Sequence, residues 1–363
     1  MVLLGGRQVA ELEAHGSMPT IEHEKVALRA QRFLAERPVV VLGTGATIPH
    51  GLPSMRVLAE SLLNAIDDNP PGWQEFANRL DATKDLERAL HEISLPQETI
   101  EELVRATWQI VSSRDLEFYQ QLIRGGVPFP LAELFRYLLR TAEAHVKVVT
   151  TNYDRLAEYA ANHVDAYAST GVTPGWLQRF VPVAVTKERP PSPGFEGRVT
   201  VLKVHGSLDW FRDSTGNIIA VPLSPAIPPD LQPLIVTPGT FKYREVHKDP
   251  FRTVMSAADT VLRDASCFVC VGYGFNDEHV QPVLISRVMK DDVPLVVVTK
   301  ELSEQTRHAF LESPPQKFLF FEEAQDGTRV YLPEHPGGAL LKGASAWQLS
   351  GFANLLSGGE ARL

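Results

Sequence analysis

The chain has 363 residues, 44% of them hydrophobic and 22% charged, a composition ordinary for a globular α/β domain that carries a second lobe or a large insertion. A net charge of −9 argues against a protein that grips nucleic acid, and no apolar run reaches the roughly 18 residues of a membrane-spanning helix, so neither direct nucleic-acid binding nor membrane attachment is expected. Two cysteines leave no disulfide framework and the N-terminus lacks the pattern of a secretory signal, which makes a cytoplasmic location the expectation.

Residues 1–19 show no period and are expected to form an arm, followed from Ile21 to Arg37 by an amphipathic helix, so that 1–37 reads as an arm and helix. Pro38 ends that helix, and the β-branched run after it fits a strand buried on both faces. A second helix is expected from near Pro53. Residues 67 to about 144 are rich in Leu, Glu, Arg and Gln with no period of two, which predicts an inserted lobe of three to five helices. Strand patterns then recur in HVKVVTTN, RVTVLKVHG, PLIVTPG, CFVCVGYG, VPLVVVT and KFLFF, with helical stretches at Asp154–His163, Pro250–Arg263, Glu278–Met289 and Glu301–Leu311. Alternation of this kind predicts an α/β fold, a Rossmann-like doubly wound parallel sheet with an inserted helical lobe. Residues 331–363 read as a C-terminal tail, with a packed helical segment expected over Gly337–Leu363.

Val39–Leu42 runs into Gly43-Thr44-Gly45-Ala46-Thr47 and then Ile48-Pro49-His50-Gly51-Leu52-Pro53. Glycines there let the backbone turn sharply and approach a pyrophosphate with helix amides facing the anion, although they serve a plain tight turn equally well. A dehydrogenase fingerprint needs a third Gly or Ala three positions after the second glycine, where Ile48 stands, so hydride transfer is disfavoured. Cys267 and Cys270, three apart in a strand, point to opposite faces and do not converge on a metal ion. No metal site is expected.

Gly43–Thr47 followed by Gly51-Leu52-Pro53-Ser54-Met55-Arg56 resembles the paired sirtuin motifs Gly-Ala-Gly-x-Ser and Gly-Ile-Pro-x-Phe-Arg. Thr151-Asn152-Tyr153-Asp154 resembles the sirtuin Gln-Asn-Ile-Asp, and His205-Gly206 its catalytic His-Gly. Gly272-Tyr273-Gly274-Phe275-Asn276-Asp277 resembles the late glycine motif of sirtuin-like proteins of bacterial defence systems. The resemblance covers roughly residues 38–300 and implies a sirtuin-like NAD-binding catalytic domain over 38–330. It implies Asn152 and His205 as the catalytic pair. Around the cofactor it places Gly43, Gly45, Ala46, Thr47, Pro53, Arg56, Asp154, Gly272, Tyr273, Gly274 and Asn276.

The chemistry that follows is glycosidic cleavage. The nicotinamide of NAD is a cationic pyridinium that departs neutral, so the protein has to grip the pyrophosphate, tolerate an oxocarbenium-like centre and position a nucleophile. Asn152 offers a donor and an acceptor to a water or the ribose hydroxyls, and the His205 imidazole suits proton uptake near neutral pH. Asp154 takes its sirtuin counterpart's part, a bond to the nicotinamide carboxamide; Arg56 and Thr47 are expected on phosphate or ribose. Each residue has a plainer alternative. Asn152, Asp154 and Asp277 can be helix caps, His205 a structural hydrogen-bonder, Gly272 and Gly274 turn glycines, and Arg56 a solvated surface residue.

Protein-deacylating sirtuins resemble one another in carrying a four-cysteine zinc module, which two cysteines cannot build. The expectation is therefore no zinc, NAD as substrate and water as acceptor, giving nicotinamide and ADP-ribose, with the stretch 67–144 in the module's place. The resemblance further implies an NAD-depleting effector of a bacterial antiphage system. Such an enzyme has to be silent at rest, so activation by assembly as a homo-oligomer or by a separately encoded partner is expected, a HerA-type ATPase or a short Argonaute. Two other readings stay open: a non-catalytic NAD or ADP-ribose sensor, and protein deacylation or ADP-ribosyl transfer. Hydrolysis and cyclisation begin with the same bond cleavage and are not distinguished.

Overall fold

The apolar runs of the chain have nowhere to go but a sheet covered on both sides. The computed structural model describes residues 18–358 apart from 67–69, 85, 142, 176–177, 188–192 and 237–247. The arm expected over 1–19 lies, as far as residue 17, outside the described residues, as do the last five residues of the tail. The main sheet holds β1 (Pro38–Leu42), β2 (His145–Thr150), β3 (Ala166–Ser169), β5 (Gly197–Lys203), β9 (Cys267–Val271), β10 (Leu295–Val298), β11 (Phe318–Ala324), β12 (Gly327–Leu332) and β13 (His335–Lys342). Their order across it is β13-β12-β11-β10-β9-β1-β2-β5-β3. From β3 to β11 every pairing is parallel, while β12 and β13 add antiparallel. The expected α/β sheet is therefore present, and β1, β5, β9 and β10 are buried along their whole length.

Successive side chains of β1 feed two separate cores. Val40 and Leu42 pack on one face with α1 (His23–Phe33), α2 (Met55–Ala65), α6 (Pro130–Leu138) and α7 (Leu156–His163). Val39 and Val41 pack on the other with the helices Phe251–Arg263 and Gln281–Lys290. The same alternation separates the two thiols, Cys267 in the first core and Cys270 in the second. β1 lies between β2, its successor among the strands, and β9, to which the chain returns later. The sheet thus reverses its direction of growth at β1, and the carboxyl ends of β1 and β9 open the crevice where such sheets bind ligands.

The inserted lobe contains α3 (Trp73–Thr83), α4 (Leu86–Glu92), the 28-residue α5 (Gln97–Arg124) and α6. α5 is fastened to the sheet by polar groups as well as by packing. Asp115, wholly buried, accepts from the Arg155 guanidinium (2.6 and 3.0 Å), the Arg155 amide (2.7 Å) and the Tyr159 hydroxyl (2.6 Å). Trp108 Nε1 donates to the Leu208 carbonyl at 2.8 Å.

The structure departs from the sequence expectations in β3 and β12 of the main sheet, neither of them expected as a strand, and in two further features. A small antiparallel sheet, β4 (Gln178–Arg179), β7 (Ile218–Ala220), β6 (Gly206–Arg212) and β8 (Gln232–Ile235) in that order, stands beside the large one. Of its strands only the run containing β8 carries a readable pattern. The C-terminal tail is not all helix: β13 occupies His335–Lys342, and only Leu349–Leu356 is helical. Gly337-Gly338 breaks the run of Ala339 and Leu341, whose alternation becomes visible once β12 pairs with it.

Asp115→Ala is expected to destabilise the fold by about 3–5 kcal/mol, because Arg155 then stays buried without its carboxylate. Urea unfolding of the variant beside the wild type measures this, and a loss below about 1 kcal/mol would contradict the clamp.

Candidate functional site

The crevice is framed by two glycine turns that touch through their backbones. Gly43 N donates to the Val271 carbonyl and Gly45 N to that of Gly272, both at 3.1 Å. A Cβ on Gly43 would stand 2.7 Å from Tyr273 Cα, and one on Gly45 2.7 Å from Gly272 Cα. Gly272 has φ +55° besides. These three glycines are required by the fit of one turn on the other, whatever binds nearby. Gly274 differs: a Cβ there would meet nothing closer than the Asn276 amide nitrogen at 3.4 Å, so its bareness leaves space on the cleft side.

The amides of the first turn are largely taken. Besides those of Gly43 and Gly45, that of Ala46 donates to Gly43 O and that of Thr47 to Thr44 O, both at 3.0 Å. The expectation that this turn turns its amides on a pyrophosphate is thereby narrowed to Thr44. Among the described residues no acceptor meets the amides of Tyr273, Gly274, Phe275 and Asn276. Phe275 adopts φ +56°, a conformation held by its buried ring, which packs edge-on against Tyr273 (4.9 Å) and Phe310 (5.1 Å). Consecutive unpaired amides around such a kink form a concavity suited to an anion.

Asn152 follows β2. Its amide nitrogen accepts no choice of orientation, since Nδ2 donates to Gly43 O at 3.0 Å and its backbone N–H donates to Thr150 Oγ1 at 3.0 Å. Its Oδ1 is buried and has no partner among the described residues. A buried acceptor in that condition is costly, and it is satisfied when a hydroxyl or water enters the cleft. Asp154, two residues on, accepts from the Leu156 amide at 3.1 Å. Burial pushes its carboxyl up to about 7, with the Lys203 ammonium pulling downward and Asp115 pushing further up. Lys203, wholly buried on β5, donates to the Asp154 carbonyl and to Glu158 Oε1 (2.9 Å), which fixes this segment from beneath.

His205 lies between β5 and β6. Its carbonyl accepts from the Val236 amide at 2.9 Å, and Gly206 turns with φ +88° against the Leu234 carbonyl of β8, so glycine follows the histidine for a steric reason. The ring's Nε2 is buried 2.9 Å from Asp277 Oδ2, an ion-pair approach lying off the line of an ideal hydrogen bond.

Of the residues picked from sequence, Asn152, Asp154 and His205 line one cleft with Gly43, Thr47 and Pro53, and Gly272, Tyr273, Gly274 and Asn276 close its far side. Gly45 and Ala46 do not line it. Arg56 does not reach the cleft: its side chain is 75% exposed and pairs with Glu60 at 3.2 Å, because the first turn of α2, capped by Ser54 Oγ, carries it outward. The expectation of a phosphate or ribose contact from Arg56 is corrected accordingly. The sequence reading missed Val111, which brings α5 into the cleft wall, and the approach of Asp277 to His205. Only the Asp-plus-helix pattern after Phe275 signalled Asp277, and it signalled a cap.

Asp154 gives the fold a pH dependence of definite sign. In the unfolded chain its carboxyl ionises near 3.8, while in the fold it keeps its proton to about 7. The unfolded chain therefore releases a proton that the folded one retains, and this group's contribution to stability falls as pH rises between those values. Asp154→Asn, which keeps an oxygen for the Leu156 amide, is expected to gain on the wild type steadily from pH 4 to 7 and to hold that gain above. Urea titrations across the range test it; a difference independent of pH would refute the burial effect.

Residues 146–323 match the family model of the SIR2-like domain. No curated protein matches the chain. Among solved structures it is similar to a mutant Sir2 homologue in complex with ADP-ribose, at 17% identity and a TM-score of 0.41 over 77% of this chain and 86% of that one. It is also similar to a Sir2 homologue–NAD complex (16%, TM-score 0.42, 80% and 88%) and to a mutant Sir2 homologue with 2′-O-acetyl ADP-ribose (15%, TM-score 0.44, 94% and 99%). The SIR2-like domain match contains Asn152, Asp154, His205 and the Gly272–Asp277 turn; the first glycine turn and the helical lobe precede it.

Proposed function

We propose that this chain binds NAD in the cleft between its two glycine turns and hydrolyses the bond between nicotinamide and ribose. The observation that carries this reading is the buried, unpartnered Asn152 Oδ1 sharing one cleft with His205 at the point where the sheet reverses. In the proposed step water adds to the ribose carbon while the carbon–nitrogen bond breaks. Its electron pair leaves with nicotinamide, which becomes neutral, and the proton of the water passes to His205. Asn152 Oδ1 accepts from the attacking water or from a ribose hydroxyl and so sets the approach. The unpaired amides of Tyr273–Asn276, with that of Thr44, face the pyrophosphate, and the Asp154 carboxyl bonds the carboxamide of the leaving group. Water as acceptor is supported by the cysteine content: the only two thiols are buried on opposite sides of β9, which leaves nothing for a four-thiolate zinc module.

The resemblance of the Gly272–Asp277 turn to proteins of bacterial defence supports reading the chain as an NAD-depleting effector. Its activity is then held back until homo-oligomers form or a partner such as a HerA-type ATPase or a short Argonaute engages.

Incubation with NAD, alone and with such partners, followed by chromatography of nicotinamide and ADP-ribose, tests the reading. Asn152→Ala and His205→Ala are each expected to lower the rate of nicotinamide release at least about 100-fold. Release that persists in both variants would overturn the assignment of these residues. Tight NAD binding without release would replace hydrolysis by sensing, and consumption of an acylated peptide in step with NAD would replace it by deacylation.

A further inference from the structure

We infer that Asp277 is a positioning residue for His205: its carboxylate holds the imidazole with the proton on Nε2 and leaves Nδ1 as the nitrogen that takes a proton in the cleft. The inference rests on the reading of His205 as proton acceptor, and it concerns how that role is set.

The two oxygens of Asp277 have different tasks. Oδ1 accepts from the amides of His279 (3.0 Å) and Val280 (2.9 Å), in the turn that leads into the helix Gln281–Lys290. With Oδ1 so pinned, the orientation of the carboxylate is fixed, and Oδ2 comes to lie 2.9 Å from His205 Nε2. Both side chains are about nine-tenths buried. A carboxylate only accepts, so the ring nitrogen facing it carries the hydrogen. Nε2 faces Asp277 at 2.9 Å in a contact that lies off the line of an ideal hydrogen bond, and His205 has no other protein partner for its ring among the described residues. Nδ1 is what remains for the cleft that His205 lines. The acceptor of that turn thus doubles as an orienting group, which no local signal in the sequence can reveal.

Asp277→Asn separates the two tasks. The amides of His279 and Val280 require an oxygen at the Oδ1 position, so the asparagine has to place its NH2 toward His205. Nε2 then becomes an acceptor and the proton moves to Nδ1. Asp277→Ser keeps an oxygen for the turn amides and is too short to reach the ring. The experiment records ¹⁵N spectra of the full chain with labelled histidine at alkaline pH, His205→Ala identifying the signal, together with nicotinamide release from NAD. The wild type is expected to show His205 protonated on Nε2, and Asp277→Asn to show it protonated on Nδ1. Both variants are expected to lose kcat by about 100-fold or more, with KM changed by less than about threefold. A wild-type ring protonated on Nδ1, an unchanged tautomer in Asp277→Asn, or full kcat in Asp277→Ser would overturn the inference. Absence of NAD cleavage by the wild type would defeat the proposed function instead, since the tautomer is read without NAD.

Discussion

Two turns at opposite ends of the domain meet without side chains between them, and the cleft exists because they do. Gly43 and Gly45 press on Gly272 so closely that a methyl group on any of the three would force β1 and β9 apart at their carboxyl ends. Much of the site hangs from this contact. The Gly43 carbonyl is what orients the Asn152 amide. The chain leaving Gly272 swings through the left-handed Phe275 and delivers Asp277 to His205. The glycines of the first turn thus matter here as spacers between strands, while the unpaired amides lie on the later turn.

Beneath the cleft lies an unusual amount of buried charge: Asp115 with Arg155, and Lys203 with Glu158. Removing such groups from water costs about as much as their pairing returns, so their presence adds little net stability. What they add is placement. Asp115 comes from α5 and Arg155 from the segment that follows Asp154, so the pair sets the height of the inserted helix over the loop that carries Asn152. Lys203 performs the corresponding service from the sheet side by donating to the Asp154 carbonyl. An apolar core under this loop would be as stable and far less exact in direction.

How much of this was legible depends on the range of each interaction. The β-branched run at Val39–Leu42, the glycines after it and the strand–helix alternation were readable because burial on both faces and sharp turns impose local composition. Asn152 and His205 were readable through the order of motifs, and the sheet brings them to one cleft. Arg56 was misplaced because a motif does not record which side of a helix faces out. The short strands Gln178–Arg179 and Ile218–Ala220 have too few residues to show a period. Asp277 shows in sequence only the half of its bonding that is local; its other oxygen reaches a residue from a different strand, and no spacing encodes that.

The helical lobe enters the chain between two strands that are hydrogen-bonded neighbours, Val39 pairing with Lys147. Pairing them requires closing a loop of roughly a hundred residues, and loop-closure entropy grows only with the logarithm of length, about 0.6 kcal/mol for each doubling. The sheet is therefore nearly indifferent to how large the lobe is. A lobe half as long, or twice as long, alters the closure entropy by less than a single hydrogen bond contributes, provided that its last helix still brings a wall and a carboxylate to the cleft. This position in the chain is where the domain can change its outer shape, and with it what it recognises, without disturbing the strands that hold the chemistry.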